Sequence, residues 1–134
     1  MELAMIARLA GCAPIAAILA SGEAVGWHER PASLGFPSIS LTDASSGREY
    51  THDGHDGLDR PRVQFDLCSL DAVTLIALRD AVRAEMEQAR DIGAVRFHVA
   101  MEVSHFRPPP ETLPDGKRVY RITQEWEFFW ESVS

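Results

Sequence analysis

From Arg48 to Gly93 the chain reads REYTHDGHDGLDRPRVQFDLCSLDAVTLIALRDAVRAEMEQARDIG, and this stretch limits the fold more than any other. In its middle, Val63, Phe65 and Leu67 alternate with Arg62, Gln64 and Asp66, the two-residue period of a half-buried strand. A helical period follows at once. Leu75, Leu78, Val82, Met86 and Ala89 form a stripe, with Val73, Ile76 and Ala77 widening it and Arg79, Arg83, Glu87 and Arg90 facing away. Ser69 reads as the N-cap, Asp71 falls in the first turn near the positive end of the dipole, and Gly93 stands where a C′ glycine belongs.

The rest of the chain reads as material packed against this strand–helix unit. Leu3, Ile6, Leu9 and Ala10 predict a short amphipathic helix over 2–11, and Pro14 suits the first turn of a second helix running to Ala20. Residues 22–36 read as loop, with Trp27 as a packing anchor. Strands are expected over 36–42, briefly at 49–51, and over 95–103. The segment 107–117, RPPPETLPDGK, reads as an extended polyproline stretch followed by a turn at Pro114-Asp115-Gly116. The last strand spans Val119–Trp130, with Tyr120, Ile122, Trp126, Phe128 and Trp130 on one face and Arg121, Thr123, Glu125 and Glu127 on the other. The fold class that follows is α+β: one domain over 1–134, a mainly antiparallel sheet of about four strands, one long amphipathic helix and short N-terminal helices.

Charge and composition narrow the function. A formal charge of −7 argues against a sequence-independent nucleic-acid binder, which needs a basic stripe to displace counterions. Lys117 is the only lysine, an arginine bias that fits a GC-rich genome. Cys12 and Cys68 read as small buried apolar residues; a single disulfide between them is the alternative, nothing in the sequence favours it, and a reduced, cytoplasmic setting is the default. Leu9-Ala10-Gly11-Cys12 matches a lipoprotein cleavage box, but the stretch before it is too short and is interrupted by Glu2 and Arg8. No segment approaches the ~20 apolar residues of a membrane span.

Chemistry-bearing patterns are few. His52, Asp53, His55 and Asp56 could hold a metal through imidazole and carboxylate. Their spacing fits neither a calcium loop nor a helical His-x-x-x-His pair, and Asp-Gly steps are what tight turns use. His98 and His105 read as ordinary strand residues. No Gly-rich phosphate loop, paired carboxylates or nucleophile context is present, so an enzyme is disfavoured and no cofactor is expected. The aromatic face of the last strand reads in two ways: as core, or as a sheet edge pairing with a neighbouring subunit, where Trp126 and above all Trp130 would sit.

In order and spacing these elements resemble the phage tail-terminator family, the tail-completion or minor tail proteins of long-tailed phages and gene transfer agents. The resemblance rests on the Met-Glu-Leu helix, the Pro14–Leu19 helix, the Phe36-Pro37 strand and Tyr50-Thr51. It continues through Asp56-Gly57-Leu58, Arg62-Val63-Gln64-Phe65-Asp66, Leu78 to Arg83, and Val119-Tyr120-Arg121-Ile122 with its aromatic strand. It implies a structural virion protein: a homo-hexameric ring, assembled in the bacterial cytoplasm, that caps the tail tube, stops its polymerisation and offers the head–tail connector or neck protein a docking surface. It implies no catalysis and no cofactor. The 107–117 segment is longer than the family pattern, and Pro108, Pro109 and Pro110 join His52, Asp53, His55 and Asp56 as candidate assembly contacts. Two other readings stand beside it: a small cytosolic metal-binding protein or enzyme using the His/Asp loop, and a dimeric α+β binding module.

Overall fold

The strand read at 62–67 lies at the centre of the larger sheet in a computed structural model, which describes residues 1–29, 34–45, 48–51, 54–59 and 61–133. In chain order the elements begin with α1 (Glu2–Gly11), α2 (Ala13–Ala16), β1 (Val25–Trp27), β2 (Ser38–Ser45), β3 (Arg48–Thr51), β4 (Gly54–Asp59) and β5 (Arg62–Ser69). They continue with α3 (Ala72–Met86), β6 (Arg90–Ile92), β7 (Val95–Phe97), β8 (Met101–Phe106), β9 (Glu111–Thr112), β10 (Arg118–Glu127) and β11 (Trp130–Ser132). The fold is α+β with mixed pairing: β1 runs parallel to β2, and the other described pairs are antiparallel.

Among the described residues the strands form two sheets, not one of about four strands. The six-stranded sheet has the order β1-β2-β5-β10-β8 with β9 against the start of β10, and the five-stranded sheet has the order β3-β4-β11-β7-β6. The extra strands are short ones the alternation signal does not catch. β1 falls in the expected 22–36 loop and pairs with β2, and β4 falls in the expected Gly/Asp turn, where it pairs with β3 and, at Asp59, with Trp130 of β11. Val25, with three residues of strand, is too short to show a period but is buried opposite Ile39.

α3 lies over β5 and β10, and Val63, Phe65 and Leu67 are buried with Leu75, Leu78, Val82 and Met86. Three corrections concern its ends and width. Its N-cap is Asp71, not Ser69: the Asp71 carboxylate accepts from the Thr74 backbone N–H at 3.1 Å and the Thr74 hydroxyl at 2.7 Å. It ends at Met86, and Gly93 instead takes φ +57° at the two-residue turn between β6 and β7, where a first-position glycine suits the hairpin twist. Val73, Ile76, Ala77 and Ala89 are exposed, so the buried stripe is narrower than the sequence suggested.

The cap gives a first expected result. Hydrogen bonds from the Thr74 side chain and backbone hold the Asp71 carboxyl below the usual carboxylate range. Such a group contributes stability above its unfolded pKa of about 4, and that stability is lost as pH falls through the depressed folded value. Asp71→Ala should therefore lower the thermal midpoint at pH 7, and the gap to the parent should close in acid. Thermal unfolding of both proteins at neutral and strongly acid pH checks this.

Three chain crossings lie side by side where the sheets meet. The Phe128 N–H donates to the Pro61 carbonyl (3.3 Å), and the His98 N–H donates to the Phe129 carbonyl (2.9 Å). The two long strands expected at 95–103 and 119–130 therefore each break. β7 and β11 belong to the smaller sheet, β8 and β10 to the larger. Phe97 and Phe128 fill the junction, edge to face with centroids 5.9 Å apart, and both are buried. Expected α2 is also shorter than 14–20, while the turn after Pro114 forms as read: the Gly116 N–H donates to the Leu113 carbonyl at 2.9 Å, with Gly116 at φ +87°.

Candidate functional site

The most conspicuous polar cluster joins the N-terminal helix to the end of α3. Arg8, buried on α1, donates from Nε to Glu85 Oε2 (2.8 Å) and from Nη2 to the Glu85 and Gln88 carbonyls (2.6 and 2.8 Å). A guanidinium on the carbonyls at and just past a helix C-terminus meets the negative end of the dipole. Arg90 holds the same carboxylate from the other side, Nη2 to Oε1 at 2.8 Å. Burial alone pushes the Glu85 carboxyl up, but the bonds and charges of Arg90 and Arg8 outweigh it and hold it below its ordinary value. Burial lowers the Arg8 pKa, and a guanidinium remains charged regardless. Arg8 Nη1 is buried without a hydrogen-bond partner among the described residues, and the Phe97 ring, its centroid 5.3 Å from the guanidinium carbon, supplies a compensating cation–π contact. A cleft of about 410 Å³, bordered by Ala7, Gly11, Cys12, Ala81 and Ala84, opens beside this cluster. Its charges face one another, so the cluster works as a structural joint between α1 and α3.

Candidate docking surfaces lie elsewhere. The large apolar side chains left exposed fall mainly in two stretches: Leu70, Val73 and Ile76 at the start of α3, and Val99, Met101, Val103 and Phe106 along β8. β8 closes the larger sheet and pairs only with β10 among the described residues. An unpaired, apolar edge strand is a template for another chain. A partly buried network anchors it. Arg83 of α3 holds Glu102 at 3.1 Å, Gln124 Nε2 donates to Glu102 Oε2 at 2.7 Å, and Trp126 Nε1 donates to Gln124 Oε1 at 3.3 Å. Beside the edge, a cleft of about 200 Å³ is bordered by Ala72, Leu75, Arg107, Pro108, Pro110 and Tyr120.

The residues singled out from the sequence scatter over this architecture. His52 and Asp53 lie outside the described residues, and His55 and Asp56 lie on β4. Pro108 is half-buried and Pro109 and Pro110 exposed, next to the cleft that Pro108 and Pro110 line. Trp126 is corrected from a candidate contact to core: it is wholly buried, because β10 is flanked by β5 and β8 and is no edge. Trp130 is half-buried on β11 between Asp59 and Phe97, and packs against the core. Cys12 and Cys68 are free thiols, half-buried and buried. The edge residues Met101 and Phe106 were missed; the alternation continuing past Phe97 through Val99, Met101 and Val103 was a signal for the first, and none marked Phe106, which lies on the other parity.

Among the described residues no group of three or more His, Cys, Asp or Glu side chains is placed to hold a metal ion. No described helix is long and apolar enough to cross a membrane. No protein-family model matches the chain, and no curated protein matches it.

Proposed function

We propose that this protein is a non-enzymatic assembly component of the tail-terminator kind: a homo-hexameric ring that caps a phage-type tail tube and presents a face to a head–tail connector or neck protein in the virion. The observation that supports it best is the apolar exposure at the start of α3, with Leu70 at 39 %, Val73 at 75 % and Ile76 at 36 %. Patches of this kind on a small domain mark association surfaces. The order of sequence motifs, from the Arg62–Asp66 strand into the helix, points to the same family.

The electrostatics fit a ring through which DNA passes. A subunit of charge −7 repels phosphates and leaves the lumen free of strong contacts. The same charge makes subunits repel one another, so salt favours closure, and apolar contacts must supply the attraction. Light scattering across a salt series, with negative-stain images alone and with tubes of the cognate major tail protein, tests the reading. Six-membered rings at high salt, or rings seated on tube ends, are expected. Tube ends left bare, with no ring at any salt, would overturn it.

A further inference from the structure

The β8 edge is self-complementary. A bulge decides which of its residues share a face, because pairing with β10 shifts register between Glu125 and Trp126 and leaves Val103 as the extra residue. Glu102 sits opposite Trp126 and His105 opposite Gln124, so both lie on the helix side of the sheet. Met101 sits opposite Glu127 and Phe106 opposite Thr123, so both lie on the side facing away from α3. The 4.0 Å approach of His105 Nδ1 to Glu102 Oε1 follows from the same placement. In a regular strand, residues three apart would point to opposite faces.

We propose that β8 pairs antiparallel with β8 of a second copy, about a two-fold axis between Val103 and Ser104, joining the two larger sheets. In that register Met101 meets Phe106 of the second copy on the face away from α3, and Glu102 meets His105 of the second copy on the α3 face. Each pair occurs twice. Met101 and Phe106 are 58 % and 60 % exposed in the single chain, so the contact covers apolar surface and satisfies an open backbone edge together. The Glu102–His105 pair sets a carboxylate against an imidazole. Beyond the strand ends Arg107 falls opposite Ala100 and Pro108 opposite Val99, so the two-fold brings no arginine against its own copy. One register thus matches both faces, which is the argument for a second copy over an unrelated strand. It depends on the bulge, since without it Met101 and Phe106 would lie on different faces.

A ring closed by heterologous contacts leaves this edge free on every subunit, so the inference goes beyond the ring reading and does not depend on it. The test is a charge exchange in the full chain, read as the concentration at which the dimer forms by light scattering or sedimentation. Met101→Lys and Phe106→Glu alter exposed side chains and should each raise that concentration roughly tenfold or more. The double variant sets the introduced ammonium against the introduced carboxylate across the axis, and should recover most of the loss. A parent that stays monomeric to millimolar concentration overturns the proposal, as do single variants that dimerise like the parent. A double variant as weak as the singles overturns the register. Rings of six formed by the parent, with no two-fold association of subunits or of rings at any concentration, would remove this contact and leave the ring reading standing. A dimer that responds as expected beside bare tube ends would do the reverse.

Discussion

Replacing Glu85 with alanine should destabilise the fold by about 3–5 kcal/mol, because it strands a buried guanidinium without its counter-charge. The Arg8 side chain is 1 % exposed and the Glu85 side chain 5 %, so neither charge has water to fall back on. Arg8→Met in the parent should cost less, since Arg90 still pairs the carboxylate from the solvent side. The double variant Arg8→Met/Glu85→Ala should be more stable than Glu85→Ala alone. Urea denaturation of the four proteins at pH 7 closes the cycle, and a Glu85→Ala cost below about 1 kcal/mol would remove the joint from any account of stability. The pH dependence has a definite sign. The depressed Glu85 carboxyl contributes stability above its unfolded pKa of about 4.3, and that contribution is lost as pH falls through the folded value. The difference between parent and Glu85→Ala should therefore shrink in acid.

Trp126→Ala should cost a comparable amount, about 3–5 kcal/mol, for a different reason. Its side chain heads the fully buried set by volume, sits against Phe65 with ring centroids 6.4 Å apart, and faces Val63 on β5 and Glu102 on β8. Truncation opens a cavity that two paired strands cannot collapse to fill. It also leaves the buried Gln124 carbonyl oxygen without its indole donor, adding the penalty of an unsatisfied polar group. Trp126→Phe keeps most of the volume and should cost clearly less. Chemical denaturation of both variants measures the split. Amide exchange across Met101–Phe106 should accelerate in Trp126→Ala, since the bulged pairing of β8 rests on that residue.

The candidate surface was only partly open to sequence reasoning. Of the proline segment, Pro108 and Pro110 line a cleft at the edge of the fold, and Glu111–Thr112 pairs with β10 as a short strand that the sequence did not announce. Trp126 was left between core and subunit contact, because an aromatic on a long alternating strand looks the same whether that strand is central or marginal; the structure makes it core. Arg8 was read only as an interruption of the stretch before the Leu9–Cys12 box, and its partner Glu85 lies 77 residues away, a distance no local pattern spans. Met101 and Phe106 sit on opposite parities in the sequence, and only the bulge at Val103 brings them to one face.

By itself the sequence determined an α+β chain, the strand at 62–67, the helix that follows it and the turn before Lys117. Each is set by a local periodicity or by the φ preference of a glycine, quantities written within a few neighbouring residues. Which sheet a strand joins was decided by tertiary structure alone. Val95–Val103 and Val119–Trp130 alternate without a break in sequence, yet each crosses from one sheet to the other where Phe97 and Phe128 pack together. Alternation records which face a residue presents, and hydrogen-bond partners come from strands tens of residues away. The centre and the edge of a sheet are therefore properties of the assembled fold, and the exposed edge at β8 exists only because β5 had already taken the other side of β10.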